Sequence, residues 1–197
     1  MKKVALILLA VATLAACKPS KKENKTETPS YQLNAETVVV NWTGYKFTNK
    51  VGVKGQMQTV NINNNQQGAT IDEALNGVEF SIPVSSVFSD NEIRDTKLKT
   101  LFFGVMDNTE MLSGTVTKTN NNSGIISLTM NNETHDLPYT LQVQDRTAYL
   151  KATINLNTWH AEKALASLHK ACELLHTGED QISKTWDTVD LDVVLNF

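Results

Sequence analysis

The last nine residues, VDLDVVLNF, alternate: Val189, Leu191, Val193, Leu195 and Phe197 are apolar, Asp190, Asp192 and Asn196 are polar, and Val194 is the exception. A period of two gives a β-strand one dry and one wet face. The same pattern predicts half-buried strands through Val38, Val40 and Trp42, through Val78, Phe80, Ile82 and Val84, and through Ala148, Leu150, Ala152, Ile154 and Leu156. Ile126, Leu128 and Met130 lead through Asn131-Asn132 into Leu137, Tyr139, Leu141 and Val143, which reads as two antiparallel strands joined by a tight turn that asparagine favours. Fainter alternation covers 51–62 and 111–118. One segment has another period. In AEKALASLHKACELLHTGED, residues Ala161, Ala164, Leu165, Leu168, Cys172 and Leu175 share a helical face, and Gly178 follows as a stop signal.

These elements predict an all-β chain with a short helix or two, its roughly eight strands in a meander. One-faced strands must pack on a second sheet or curl and close on themselves. A sandwich fills its middle with side chains, whereas a closed antiparallel barrel of about eight strands leaves room for one small ligand. Alternation alone does not separate the two.

The N-terminus divides the rest of the chain. Residues 1–16 combine Lys2 and Lys3 with a short apolar run, which is the pattern of a secretory signal. Leu14-Ala15-Ala16-Cys17 looks like a lipobox, so Cys17 is the expected site of lipid attachment, and Lys18 after it is compatible with sorting to an outer membrane. Residues 17–30 form an acylated cysteine and a polar tether containing Pro19 and Pro29. The roughly 165 residues from Tyr31 onward suffice for one domain, 31–197, with a sizeable core. The expected setting is the cell envelope, with the protein held to the membrane by acyl chains.

Charge and cysteine content narrow the chemistry. The chain has 18 Lys and Arg against 21 Asp and Glu. Without Lys2 and Lys3 the mature form is more acidic still, which argues against a nucleic-acid partner. The two cysteines are Cys17 and Cys172. With Cys17 acylated, Cys172 is a lone thiol best kept buried in an oxidising compartment. His169, Cys172, Glu173 and His176 share a helix face with zinc-type ligands, but one helix rarely surrounds an ion and Cys172 lies in the apolar stripe, so no metal or other cofactor is expected. Neither a Gly-x-Ser-x-Gly elbow nor an HExxH pair occurs, and Ser85-Ser86 with a distant His135 has no triad spacing. Asp190 and Asp192 read as solvated surface, and no enzyme is expected.

The segment RDTKLKTLFFG, residues 94–104, fits neither a strand nor a long amphipathic helix. A short helical turn capped by Ser89 or Asp90 would carry Arg94, Asp95, Lys97 and Lys99 outward and drop Leu98, Leu101, Phe102 and Phe103 inward. Those rings form either the lip of a cavity or an ordinary core plug.

Trp42-Thr-Gly44-Tyr-Lys46, Gly55, Val84-Ser85-Ser86, Arg94-Asp95 followed by Leu98-Lys99, Phe102-Phe103, Leu128-Thr129-Met130 and YLKATINLNTWH together resemble the YceI-like family over most of 38–197. The resemblance implies an extended lipocalin-like barrel in the envelope, holding a polyisoprenoid chain such as a quinone tail, without catalysis. Lys97 stands where many relatives have His, and Leu101 where many have Asp, which leaves the headgroup open. On that reading the ligand-lining residues are Trp42, Phe80, Ile82, Phe102, Phe103, Leu128, Met130, Tyr139, Leu141, Leu150, Ile154 and Val193, with Arg94, Asp95 and Lys97 at the lip. The alternative is an interaction lipoprotein whose filled barrel docks other envelope proteins.

Overall fold

The structure, a computed structural model, describes residues 30–120 and 122–197. The expected signal peptide, the acylated Cys17 and the tether up to residue 29 lie outside the described residues. Among the described residues there are twelve strands: β1 Tyr31–Gln32, β2 Val39–Lys46, β3 Val51–Met57, β4 Asn61–Asn64, β5 Gln67–Gly68, β6 Glu79–Pro83, β7 Val87–Phe88, β8 Met111–Asn120, β9 Ser123–Met130, β10 Glu133–Gln144, β11 Thr147–Asn155 and β12 Thr188–Asn196. Three short helices accompany them: α1 Ile71–Leu75, α2 Glu92–Lys97 and α3 Glu162–Cys172. None of these helices is long and apolar enough to cross a membrane.

Ten strands form one antiparallel sheet in the order β4-β6-β8-β9-β10-β11-β12-β2-β3-β7. The remaining two, β1 and β5, pair with each other. Alternation drives the curl. On β11, Ala148, Leu150, Ala152 and Ile154 are buried and the residues between them face out. Asn131 and Asn132 both adopt positive φ, 53° and 57°, and close the β9–β10 hairpin as their side chains permit.

The sheet corrects the expected closed barrel of eight strands: it is open and curled, with ten. The reason is a broken seam. The stretch 51–64 is interrupted after Met57, and 79–88 is interrupted by a 3-10 turn at Val84–Ser86 that removes Val84 from its predicted strand. The pairs β3–β7 and β4–β6 therefore sit at opposite ends of the strand order although each links the same two stretches of chain. Between them a backbone bond remains, from Gln58 N to Ser86 O at 2.9 Å.

Strand registers sort the connections to two ends. The β2–β3 turn, the 84–110 segment, the β9–β10 turn and the 156–187 segment gather at one end. At the other, α1, the β1–β5 pair and the β10–β11 turn gather. The first will be called the crown and the second the floor. At the floor α1 buries Ile71, Ala74 and Leu75, a helix the alternation did not anticipate. Thr70 caps it, accepting from Glu73 N at 3.2 Å, while Glu73 accepts from Ala69 N at 2.8 Å.

Three expectations at the crown need correction. The cap of α2 is Asn91, which accepts from Arg94 N at 2.9 Å, not Ser89 or Asp90, because its side chain is the one spaced to reach the third helical N–H. Asp95 does not face water: it is buried and accepts from Ser89 Oγ at 2.5 Å. The predicted helix through Leu175 stops at Cys172 and tightens into a 3-10 turn at Glu173–His176, which leaves Leu175 exposed instead of on the buried stripe.

Candidate functional site

The dry faces of the strands do not fill the space they enclose. A cavity of about 240 Å³ remains. It exceeds the ~150 Å³ at which an apolar void stays dry and takes up a small hydrocarbon. Two aromatic rings explain part of the hollow. Trp42 pairs across the sheet with Gly55, and a Cβ on that glycine would fall 2.1 Å from Trp42 Cζ2. Phe80 pairs with Gly114, where a Cβ would fall 2.7 Å from Phe80 Cζ. Each ring thus occupies the place of a neighbouring side chain on the wall, which keeps it out of the lumen.

The structure places Trp42, Phe80, Ile82, Phe102, Phe103, Leu128, Met130, Tyr139, Leu150, Ile154 and Val193 on the cavity wall. Leu141 is a correction. It has the dry parity but is 1% exposed and borders no part of the void, because the interior beside it is packed solid. Leu98 also lines the cavity: Leu98–Phe102 forms a π-helical turn and brings both phenylalanines to the wall, edge to face at 5.0 Å. Sequence reasoning missed the helix contribution from Leu165 and Leu168, although both lay on the predicted apolar stripe. It also missed Tyr45, near the end of β2, and Thr185 and Trp186, in the 156–187 segment where parity carries no signal.

Polar groups on this wall are few and mostly satisfied. Tyr139 OH and Thr119 Oγ1 lie 2.5 Å apart near the floor, and burial pushes the Tyr139 phenol up from its ordinary value. Trp186 Nε1 donates to Phe47 O at 2.8 Å, and Tyr45 OH donates to Asp190. Trp42 Nε1 is buried without a hydrogen-bond partner, a donor left open in a hydrocarbon wall.

The lip charges meet α3. Lys97 Nζ donates to Ala171 O at 2.8 Å and lies 3.8 Å from Cys172 Sγ, so it points along the crown and not simply outward. Arg94 Nη1 donates to Ser89 O at 3.4 Å. His169 Nδ1 and His176 Nδ1 converge on Thr185 Oγ1, at 2.9 and 2.6 Å. Burial, then the cations around it, hold His176 down at about 4. Cys172 is a free, buried thiol. No group of three His, Cys, Asp or Glu residues suited to a metal occurs among the described residues.

Residues 31–197 match the YceI-like domain. The chain belongs to the YceI-like family. No curated protein matches it. Among solved structures, a polyisoprenoid binding domain from Saccharophagus degradans implicated in plant cell wall breakdown aligns with a TM-score of 0.58 at 14% identity, over 84% of this chain and 95% of that one. BcnA of Burkholderia cenocepacia aligns with a TM-score of 0.51 at 12% identity, over 83% of this chain and 98% of that one. At such identities the likeness establishes the YceI-like fold.

Proposed function

We propose that this YceI-like protein is a non-catalytic carrier that holds a long apolar lipid, an isoprenoid or quinone-type chain, in its cavity. The supporting observation is the hydrocarbon void itself, joined by the fold it shares with a structure described as a polyisoprenoid binding domain. Each methylene moved from water to such a wall contributes about 0.8 kcal/mol, so ten give about 8 kcal/mol. That is on the order of the cost of immobilising the chain. Attachment at Cys17 would tether the carrier to an envelope membrane through its acyl chains. A docking scaffold would need an interior filled by its own side chains, and the cavity argues against it.

Mass spectrometry of an organic extract of the purified protein should release a stoichiometric isoprenoid-type lipid. Ile154→Asp and Phe80→Asp place a carboxylate in the wall and should abolish loading, while Arg94→Ala should leave the tail bound. Full loading of the Asp variants would sink the carrier reading. Cys17→Ser should shift the protein from the membrane to the soluble fraction, and unchanged fractionation would remove the anchor.

A further inference from the structure

The most exposed large apolar side chains among the described residues are not spread over the surface. Leu174 is 92% exposed, Ile93 72%, Leu175 62% and Ile182 54%, and all four belong to the 84–110 and 156–187 segments of the crown. Three of them sit on one braced loop. Glu173 O accepts from Thr177 Oγ1 at 2.8 Å and from Ser183 Oγ at 2.9 Å, and Lys184 N donates to His176 O at 3.1 Å. The backbone that presents Leu174, Leu175 and Ile182 is therefore fastened, and it has little order left to lose when those side chains are covered.

Aromatic rings and lysines interleave beside this loop. Lys50 Nζ lies 4.6 Å from the Tyr45 ring and 5.3 Å from that of Trp186, Lys184 Nζ lies 5.2 Å from Trp186, and Lys46 Nζ lies 4.4 Å from Phe47. None of these lysines forms an ion pair with a carboxylate among the described residues. Tyr and Trp beside lysines match a membrane–water interface, where rings sit at headgroup depth and ammonium groups meet phosphates. A protein interface, in contrast, is depleted of lysine. Glu173 and Glu179 are exposed on the same loop and oppose an anionic surface, so the apolar side chains must contribute most. Leu165, Leu168 and Trp186 of the same segment line the cavity, which makes the patch continuous with the void.

The chain outside the described residues is long enough for the crown to face a membrane. Ser30 O accepts from Arg146 Nη2 at 3.0 Å, so the tether departs from the floor. Residues 18–29, fully extended, span about 40 Å, against about 30 Å for the nine residues of β12. A tether from Cys17 can therefore run past the sheet and leave the crown on the bilayer that holds its acyl chains.

We infer that the crown is a peripheral docking surface for an anionic phospholipid bilayer, with Leu174, Leu175 and Ile182 entering the acyl region and Lys46, Lys50 and Lys184 meeting the phosphates. The inference rests on the carrier reading and its tether, and it names the face through which a lipid would pass between bilayer and cavity. Three apolar side chains make a weak, reversible contact, so acylation would still hold the protein while the crown sets its orientation.

The test is flotation of the mature chain carrying Cys17→Ser with vesicles of phosphatidylcholine and phosphatidylglycerol in equal parts, beside the rate at which the protein takes up a fluorescent farnesol analogue from those vesicles or from ethanol. The parent chain should float. Leu174→Asp with Leu175→Asp should weaken partition about tenfold or more. Lys50→Gln with Lys184→Gln should weaken it severalfold at low salt and little at high salt. Val143→Asp, exposed at the floor, should leave it unchanged. The leucine variant should load slowly from vesicles and at the parent rate from ethanol. A parent chain that does not float, or a leucine variant that floats equally well, overturns the docking surface, and loading from ethanol then spares the carrier. Absence of loading from either source overturns the carrier, with flotation still deciding the surface. A dimer in sedimentation equilibrium that Leu174→Asp breaks, without flotation, makes the patch a contact between two copies and overturns the bilayer.

Discussion

The floor and the crown close the same curled sheet with opposite physics. At the floor, α1 is short, reciprocally capped by Thr70 and Glu73, and sealed by Leu75 at 1% exposure. At the crown, α3 begins without a side-chain cap, its lip partner contains a π-helical turn, and Leu174 stands 92% exposed just beyond it. Among the described residues, Lys46, Arg94 and Lys97 at this end form no ion pair with a carboxylate. A satisfied, apolar end stabilises the fold, whereas an end with unmet charges and loosened helical geometry is where a ligand can add something.

Truncations give the largest expected contrast. Ile71→Ala at the floor removes a buried side chain and should cost about 2–5 kcal/mol in urea denaturation. Leu168→Ala at the crown, half-buried and already facing the void, should cost about 1 kcal/mol. Equal costs would erase the distinction between the ends.

The tryptophans sharpen it next. Trp159 Nε1 donates to Leu128 O at 3.0 Å, whereas Trp42 Nε1 has no partner. Trp159→Phe should therefore cost about 1 kcal/mol more than Trp42→Phe, since only the first loses a hydrogen bond. Matching denaturation midpoints would mean that Trp42 is paired in solution. At the floor, Thr70→Ala should cost about 1 kcal/mol through the lost cap, measurable as a shift in the urea midpoint.

A pH dependence is expected at the crown. His176 is held at about 4 in the folded protein against an ordinary 6.5, so the unfolded chain binds more protons between those values. Its neutral imidazole costs nothing above pH 6.5, and stability falls as the pH drops from 6.5 toward 4. His176→Asn should flatten that part of a midpoint-against-pH profile, and an unchanged slope would place the titration elsewhere.

Much of the sheet was legible because alternation reports parity directly. Val189, Leu191, Val193 and Leu195 face the cavity as their period required, and Asn131-Asn132 turn the hairpin they marked. Parity failed where a side chain's neighbours, not its direction, decide the outcome. Leu141 points inward yet meets packed core. The seam broke at 58–60 and 84–86 because two distant stretches had to accommodate each other's bends, which no local pattern records. Asp95 looked like surface until Ser89 folded over it, and α1 was too short to show a helical period.

The sequence by itself determined the dry and wet faces, the principal hairpin, the apolar lip and the family, since each depends on residues near one another or on a recurrent motif. Tertiary structure decided that the dry faces leave a void, that Gly55 and Gly114 admit rings to the wall, and that His169, His176, Thr185, Lys46 and Lys97 meet at one end. Those outcomes depend on contacts between residues as far apart in the chain as Lys46 and Leu175, 129 positions, which pairing of sequence-distant strands sets.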